Sequence, residues 1–201
     1  MQLLTSPTSP YCRKVEVLLR ESGLSDHVEL VAGSGTPLAP NSTTTAANPI
    51  GKIPVLIRDD GPALYDSRVI CRYLDSLAGG AFYPEKRLWE VLTLEATAEG
   101  ILDAALLMAY EWRLRPEDIR FAPWVEGQWD KIARALDVIE ARWMSHLEGR
   151  LDMGHIAVGA ALGYLDFRHD ARGWRTSRPQ LASWFARFSE RASMQATVPA
   201  L

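Results

Sequence analysis

Asn48-Pro49-Ile50-Gly51-Lys52-Ile53-Pro54-Val55-Leu56 is the stretch that decides the fold of this 201-residue chain. Proline and glycine turn the backbone, and the aliphatic residues that follow extend it, so a loop hands over to a strand predicted over Ile53 to Arg58. Asp59-Asp60-Gly61 is a hairpin turn signal, and Pro62 to Tyr65 reads as the partner strand. Ser67 then has the side chain of a helix cap, ahead of Val69, Ile70, Tyr73 and Leu74 on one helical face. Gly79-Gly80 closes that helix.

Towards the N-terminus, Gln2 to Thr5 reads as a strand and Pro10 to Glu21 as a helix with Val15, Leu18 and Leu19 on one face. His27 to Val31 is a second strand. Gly33 to Asn48, rich in small and polar residues, reads as a loop with one irregular helical turn. A β-α-β unit, which can close as a right-handed parallel pair, is thus followed by a loop and a β-β-α unit.

Beyond Pro84 the pattern becomes helical throughout. Glu85 to Tyr110 is one long helix with Gly100 as its weak point. Trp124 to Leu147 carries Val125, Trp129, Ile132, Leu136, Ile139 and Trp143 at spacings of four and three. Gly154 to Arg168 is apolar almost all round, the mark of a buried central helix, and Leu181, Trp184, Phe185 and Phe188 define a last amphipathic one. Residues 1–79 and 86–201 are therefore expected to form an α/β domain and an all-α domain.

Bulk properties narrow the function. A formal charge of −3 with interspersed signs carries no basic patch for nucleic acid. No apolar run approaches the roughly 20 residues that span a bilayer, and no secretory signal is visible, so a reducing cytoplasm is expected. Two cysteines make no disulfide framework.

Ser9-Pro10-Tyr11-Cys12 lies between the first strand and first helix and resembles the C-P-Y-C active site of glutaredoxins, with serine in the first position. Asn48 to Leu56 resembles the N-P-x-G-K-V-P-x-L signature of the glutathione transferase superfamily. Leu64-Tyr65-Asp66-Ser67-Arg68-Val69-Ile70 is similar to its L-x-[ED]-S-x-x-I stretch, and Ala157 to Arg168 to the buried helix of its bacterial members. The resemblance implies a thioredoxin-like first domain of order β-α-β-α-β-β-α. It also implies glutathione as co-substrate with no metal, a small hydrophobic electrophile as second substrate, and a homodimer.

The same resemblance implies roles. Ser9 is the candidate catalytic residue, because a hydroxyl at a helix N-terminus can hydrogen-bond a thiolate; Cys12 is the alternative, through a monothiol mixed disulfide. A dithiol cycle is excluded because only one sulfur is present. A cis bond before Pro54 would turn the Ile53 backbone towards the glutathione cysteinyl unit. Lys52 would meet the glycyl carboxylate, Asp66 and Ser67 the γ-glutamyl ammonium and carboxylate, and Asp103 the γ-glutamyl amine. Tyr11, Tyr110 and Trp112 would line the apolar pocket of the second substrate. A fold retained for binding or regulation without turnover is the reading from another class. One departure stands out. Members open the buried helix with an S/T-x-x-D box, whereas Asp152-Met153-Gly154-His155 occupies it here; Asp152 can cap, but the histidine is expected to weaken that end.

Overall fold

The computed structural model describes residues 1–200, which form two units, one from Met1 to Lys86 joined by the segment that begins at Ala192, the other from Arg87 to Arg191. In the first unit, β1 (Gln2–Thr5) is the centre of a three-stranded sheet, parallel to β2 (Glu29–Ala32) and antiparallel to β3 (Val55–Ile57). Helix α1 (Pro10–Glu21) connects β1 to β2 and packs with α3 (Ser67–Leu77). Leu3, Leu4, Val15, Leu18, Val55, Leu56, Ile70 and Leu74 are fully buried or nearly so and make the core. In the helices they recur at a period of 3.6 on one face, whereas Leu3 and Leu4, like Val55 and Leu56, are adjacent strand residues on opposite faces of the sheet, both of them covered.

Three local readings change. The loop of residues 33–48 contains a short helix, α2 (Ser42–Ala47), because the Asn41 side chain accepts the Thr44 N–H at 3.0 Å and caps it. The predicted fourth strand is a single bridge: Leu56 and Leu64 exchange both backbone bonds, at 3.0 and 2.8 Å, and pairing stops there. Pro62 lacks an N–H and cannot extend a ladder. Asp66, not Ser67, caps α3, with its carboxylate accepting the Arg68 N–H at 3.0 Å; Ser67 is the first helical residue and is buried.

The second unit is helical. Its long helix α4 (Leu88–Leu114) lies against α5 (Ala122–Arg142) and the buried α7 (Met153–His169). Gly100 does not interrupt α4. Every residue of α7 from Met153 to Leu165 is buried. Gly154 permits this contact, since a Cβ there would stand 3.0 Å from Leu94 Cδ2. The predicted Trp124–Leu147 helix is two helices, α5 and the single turn α6 (Met144–Leu147), and α8 (Pro179–Ser189) follows α7.

The chain's end differs from the sequence expectation. The short helix α9 (Ala192–Gln195) packs on α1 in the first unit, not with the helical one. The buried Arg13 guanidinium donates to the Met194 carbonyl at 3.1 Å and to Thr197 Oγ1 at 3.4 Å, and Ser193 donates to Glu21. A buried guanidinium needs such acceptors, and the returning segment supplies them.

Candidate functional site

Helix α1 begins where β1 has just ended. Ser9 is extended, with φ −90° and ψ 120°, and its Oγ accepts the Cys12 N–H at 3.3 Å, so it is the cap; Pro10 fits the first helical position because it has no N–H to leave unpaired. Ser9 is half-buried. Its cap contact uses a lone pair of the hydroxyl oxygen.

Cys12 is fully buried, and burial pushes its thiol up to about 11, against the opposing pull of the Ser9 and Thr5 hydroxyls and the Ser6 backbone. At neutral pH it is a thiol, and only the thiolate is a nucleophile.

The register of the sheet brings the other first-unit candidates to the same end. Leu4 pairs with Val55, and Leu56 with Leu64. One further step in the first pairing sets Pro54 beside Thr5, and the chain reaches Asp66 two residues beyond the Leu56–Leu64 bridge. The Ile53–Pro54 bond is cis, and so is Tyr65–Asp66. Gly33, just after β2, is here too, since a Cβ on it would lie 3.1 Å from Ile53 Cγ2. Ser9, Ile53, Pro54, Asp66 and Ser67, spread over almost sixty residues of sequence, thus meet around one end of three strands.

Lys52 is exposed, and its carbonyl accepts Asn48 Nδ2 at 2.8 Å. Asn48 is buried and also accepts the Ile50 N–H at 3.0 Å, so its side chain ties the turn that leads to Pro54. Gly51, with φ +69°, takes the left-handed position in that turn. Sequence reading gave Asn48 no role; an Asn before Pro-x-Gly, able to bond its own loop backbone, was the available signal.

Asp66 is exposed and already partnered, because its Oδ2 accepts Arg68 Nη2 at 2.9 Å. Partial burial pushes its carboxyl up, but the Arg68 side chain outweighs this and holds it below the usual range. Arg68 is a second residue that sequence reading passed over. Of the remaining candidates, Tyr11 is half-buried on α1. Asp103, Tyr110 and Trp112 are on α4 in the other unit, where Trp112 is exposed with the Arg120 guanidinium 5.1 Å from its ring centre.

A separate cluster closes the N-terminus of α7. Asp152 Oδ1 accepts the Gly154 N–H at 3.0 Å and lies 2.7 Å from His155 Nδ1, while Oδ2 lies 2.9 Å from His146 Nε2 and 3.5 Å from Arg87 Nη2. Asp152 therefore caps this end, and His155 meets its carboxylate side chain to side chain in place of the reciprocal backbone bond of a capping box, a contact that the expectation of a weakened end left out. An imidazole Nδ1–H at 2.7 Å gives Oδ1 a strong donor, and it takes precedence over the 3.3 Å approach of the Asp152 N–H to the same nitrogen. Burial pushes the Asp152 carboxyl up, but the His146 and His155 contacts prevail and hold it far below the carboxylate range. The three residues offer ligand atoms within 4.8 Å of one another. Tetrahedral zinc would need about 3.3 Å between neighbouring ligand atoms. The contacts of Asp152 with His155 and His146, at 2.7 and 2.9 Å, are both shorter than that.

Comparison with known proteins agrees with this architecture. Residues 8–77 match the family "Glutathione S-transferase, N-terminal domain" and residues 122–187 match "Glutathione S-transferase, C-terminal domain". The chain is 33% identical to the uncharacterized GST-like protein YibF of Escherichia coli (strain K12), over 99% of this chain and 98% of that one. A glutathione transferase family member from Pseudomonas fluorescens Pf-5, solved with bound glutathione, superposes with a TM-score of 0.97 at 46% identity, covering 100% of this chain and 99% of that one. A second structure of such a member, with bound S-(propanoic acid)-glutathione, gives 0.92 at 45% identity with 100% of each chain covered. A thioredoxin-like unit joined to a helical one, with a capped serine turn beside a proline-led strand, defines a glutathione transferase fold, and the chain belongs to the glutathione transferase family.

Proposed function

We propose that this protein is a glutathione transferase that binds glutathione on its first unit, activates the sulfur through Ser9, and transfers it to a small electrophile. The observation that carries the reading is the contrast between two neighbours. The Ser9 hydroxyl caps α1 through its oxygen, which leaves its proton to donate, whereas Cys12 is buried with its thiol at about 11. A thiolate placed beside Ser9 would gain that hydrogen bond and the positive end of the α1 dipole. The monothiol route through Cys12 would need a thiolate where burial opposes one.

In this reading Ile53 offers its backbone to the cysteinyl unit, and Asp66, Ser67 and the first turn of α3 hold the γ-glutamyl end. Lys52 takes the glycyl carboxylate, and Asp103 is a further contact for the γ-glutamyl amine. The complexes of the two Pseudomonas fluorescens structures support glutathione as the ligand. S-(propanoic acid)-glutathione is an S-substituted glutathione, so the second of these also favours thioether formation over disulfide exchange. Tyr11, Tyr110 and Trp112 are proposed to contact the electrophile. A homodimer is the proposed assembly and the cytoplasm the proposed location; no helix among the described residues is long and apolar enough to cross a membrane.

Titration calorimetry with glutathione tests the reading. Micromolar to millimolar affinity, about −8 to −4 kcal/mol, is expected. Ser67→Ala should weaken it, since the γ-glutamyl carboxylate would lose a donor. Absence of binding at several millimolar would remove the proposal.

A further inference from the structure

The Asp66 carboxylate, proposed above to hold the γ-glutamyl ammonium, already carries a cation. Its Oδ1 accepts the Arg68 N–H at 3.0 Å, and the Val69 N–H acts on the same carboxylate. Its Oδ2 accepts Arg68 Nη2 at 2.9 Å and Arg68 Nε at 3.3 Å. A carboxylate has about four acceptor positions, so these contacts leave Asp66 nearly filled. Other arginines of the first unit are committed elsewhere. Arg58 Nε donates to the Pro62 carbonyl at 3.1 Å, the Arg72 guanidinium lies 4.5 Å from the centre of the Tyr83 ring, and Arg13 holds the C-terminal segment. Arg68 is the cation set against the ligand's proposed anchor.

An arriving ammonium must therefore compete with the guanidinium. The pair can yield, because its side chains are 57% and 55% exposed, and exposed pairs contribute about 1 kcal/mol or less. What the guanidinium does next depends on the ligand. The ammonium and carboxylate of an α-amino acid are borne by one carbon. An ammonium at Asp66 thus brings its carboxylate beside the released Arg68. A planar guanidinium matches a carboxylate through two parallel hydrogen bonds. The start of α3 favours an anion through its dipole, but its Arg68 and Val69 N–H groups are turned to Asp66, so a further donor is needed there.

We propose that Arg68 determines specificity at the glutathione site by exchanging partners on binding: Asp66 passes from the Arg68 guanidinium to the γ-glutamyl ammonium, and Arg68 passes to the γ-glutamyl α-carboxylate. One ion pair of the protein and one zwitterion become two ion pairs between protein and ligand, with no charge left over. A ligand with the ammonium alone breaks the Asp66–Arg68 pair and offers Arg68 nothing in its place. The exchange selects thiols with a complete α-amino-acid end. It rests on glutathione being the ligand of the first unit, and adds to that reading what the site rejects.

The experiment compares glutathione with γ-aminobutyryl-cysteinyl-glycine, which lacks the α-carboxylate. Calorimetry of the intact protein should find glutathione bound about tenfold or more tightly, the range of a hydrogen bond to a charged group. Arg68→Gln should bind glutathione less tightly than the wild type does. It should bind the truncated thiol about two- to fivefold more tightly, because no exposed pair has to break. The preference should thus fall about tenfold, and Arg68→Lys should restore part of it. A gain of affinity is not produced by a damaged fold. In turnover with 1-chloro-2,4-dinitrobenzene, the changes should appear in KM for the thiol and not in kcat. Equal weakening of both thiols in Arg68→Gln, or an unchanged preference, would overturn the exchange. If glutathione is turned over all the same, the transferase reading survives that result. The expected change of preference without turnover would leave the exchange standing and refute the transferase reading. Absence of glutathione binding by the wild type would remove both.

Discussion

The Asp152 carboxylate and the His155 imidazole, three residues apart at the start of the buried helix α7, lie 2.7 Å from each other and lock that end of the helical unit. The carboxylate is fully buried and is met by His146 and Arg87 as well. Each partner comes from a different segment, so one side chain joins the start of α4, the turn α6 and the start of α7. Asp152→Ala removes the cap and leaves two buried imidazoles and a guanidinium without their acceptor. The expected cost is about 3–5 kcal/mol, the range for breaking a buried ion pair. Urea unfolding of wild type and variant measures it, and a loss under about 1 kcal/mol would contradict this account.

The same carboxylate predicts a pH dependence. Folding holds Asp152 far below the ordinary value, whereas the unfolded residue titrates at about 3.9. Between those limits the unfolded chain binds more protons, so stability rises with pH. The contribution is complete above the unfolded value and is lost as pH falls towards the folded one. Asp152→Asn keeps a capping oxygen without the charge. The gap in urea midpoint between wild type and Asp152→Asn should therefore narrow as pH drops below about 5. A gap that stays constant from pH 6 to pH 3 would assign the stabilisation to something other than the ionised carboxylate.

Ser9→Ala separates cap from chemistry. Loss of the cap should cost about 1 kcal/mol of stability. Loss of the proposed hydrogen bond, about 1.5–3 kcal/mol for a charged acceptor, should raise the pKa of bound glutathione by about one unit or more, at 1.36 kcal/mol per unit. Thiolate absorbance of the complex against pH reads this directly, and the affinity for glutathione should hardly change. An unmoved titration would shift the catalytic role elsewhere.

Cys12 should be inert in the folded protein. It is fully buried with its thiol at about 11, so a thiol reagent at pH 8 should modify it only as fast as the unit opens. Cys12→Ser should leave transferase turnover nearly intact. Loss of turnover in that variant, with Ser9→Ala silent, would favour the mixed-disulfide route.

Arg13 makes the returning C-terminal segment part of the first unit. Arg13→Met keeps the length of the side chain but leaves the Met194 carbonyl and Thr197 without their donor. The exchange rates of amide hydrogens in residues 192–200 should rise by an order of magnitude or more, corresponding to about 1.4 kcal/mol of local opening. Unchanged protection there would show that apolar packing alone holds the segment.

Elements with strong local signals were legible in the sequence. Pro10 to Glu21 was bounded correctly because Ser9 and Pro10 announce a helix start and its apolar residues recur at helical spacing. The buried α7 was legible from its nearly continuous apolar run. Ser9, Pro54, Asp66 and Ser67 were candidates through the resemblance of the motifs that hold them, and of these the cap at Ser9 was also legible as a local requirement. The failures have a common cause, in that long-range partners are invisible to local pattern. Which of Asp66 and Ser67 caps α3 depends on where pairing with Leu56 releases the chain. The histidine in the capping box could not be judged until His146 and Arg87 were seen at the same carboxylate. Composition and periodicity therefore determined the two kinds of unit and most helices, since burial and backbone propensity act residue by residue. Only the tertiary structure decided that Cys12 is fully buried and that the tail docks on α1 through Arg13, because desolvation and pairing depend on neighbours that the chain brings from far away.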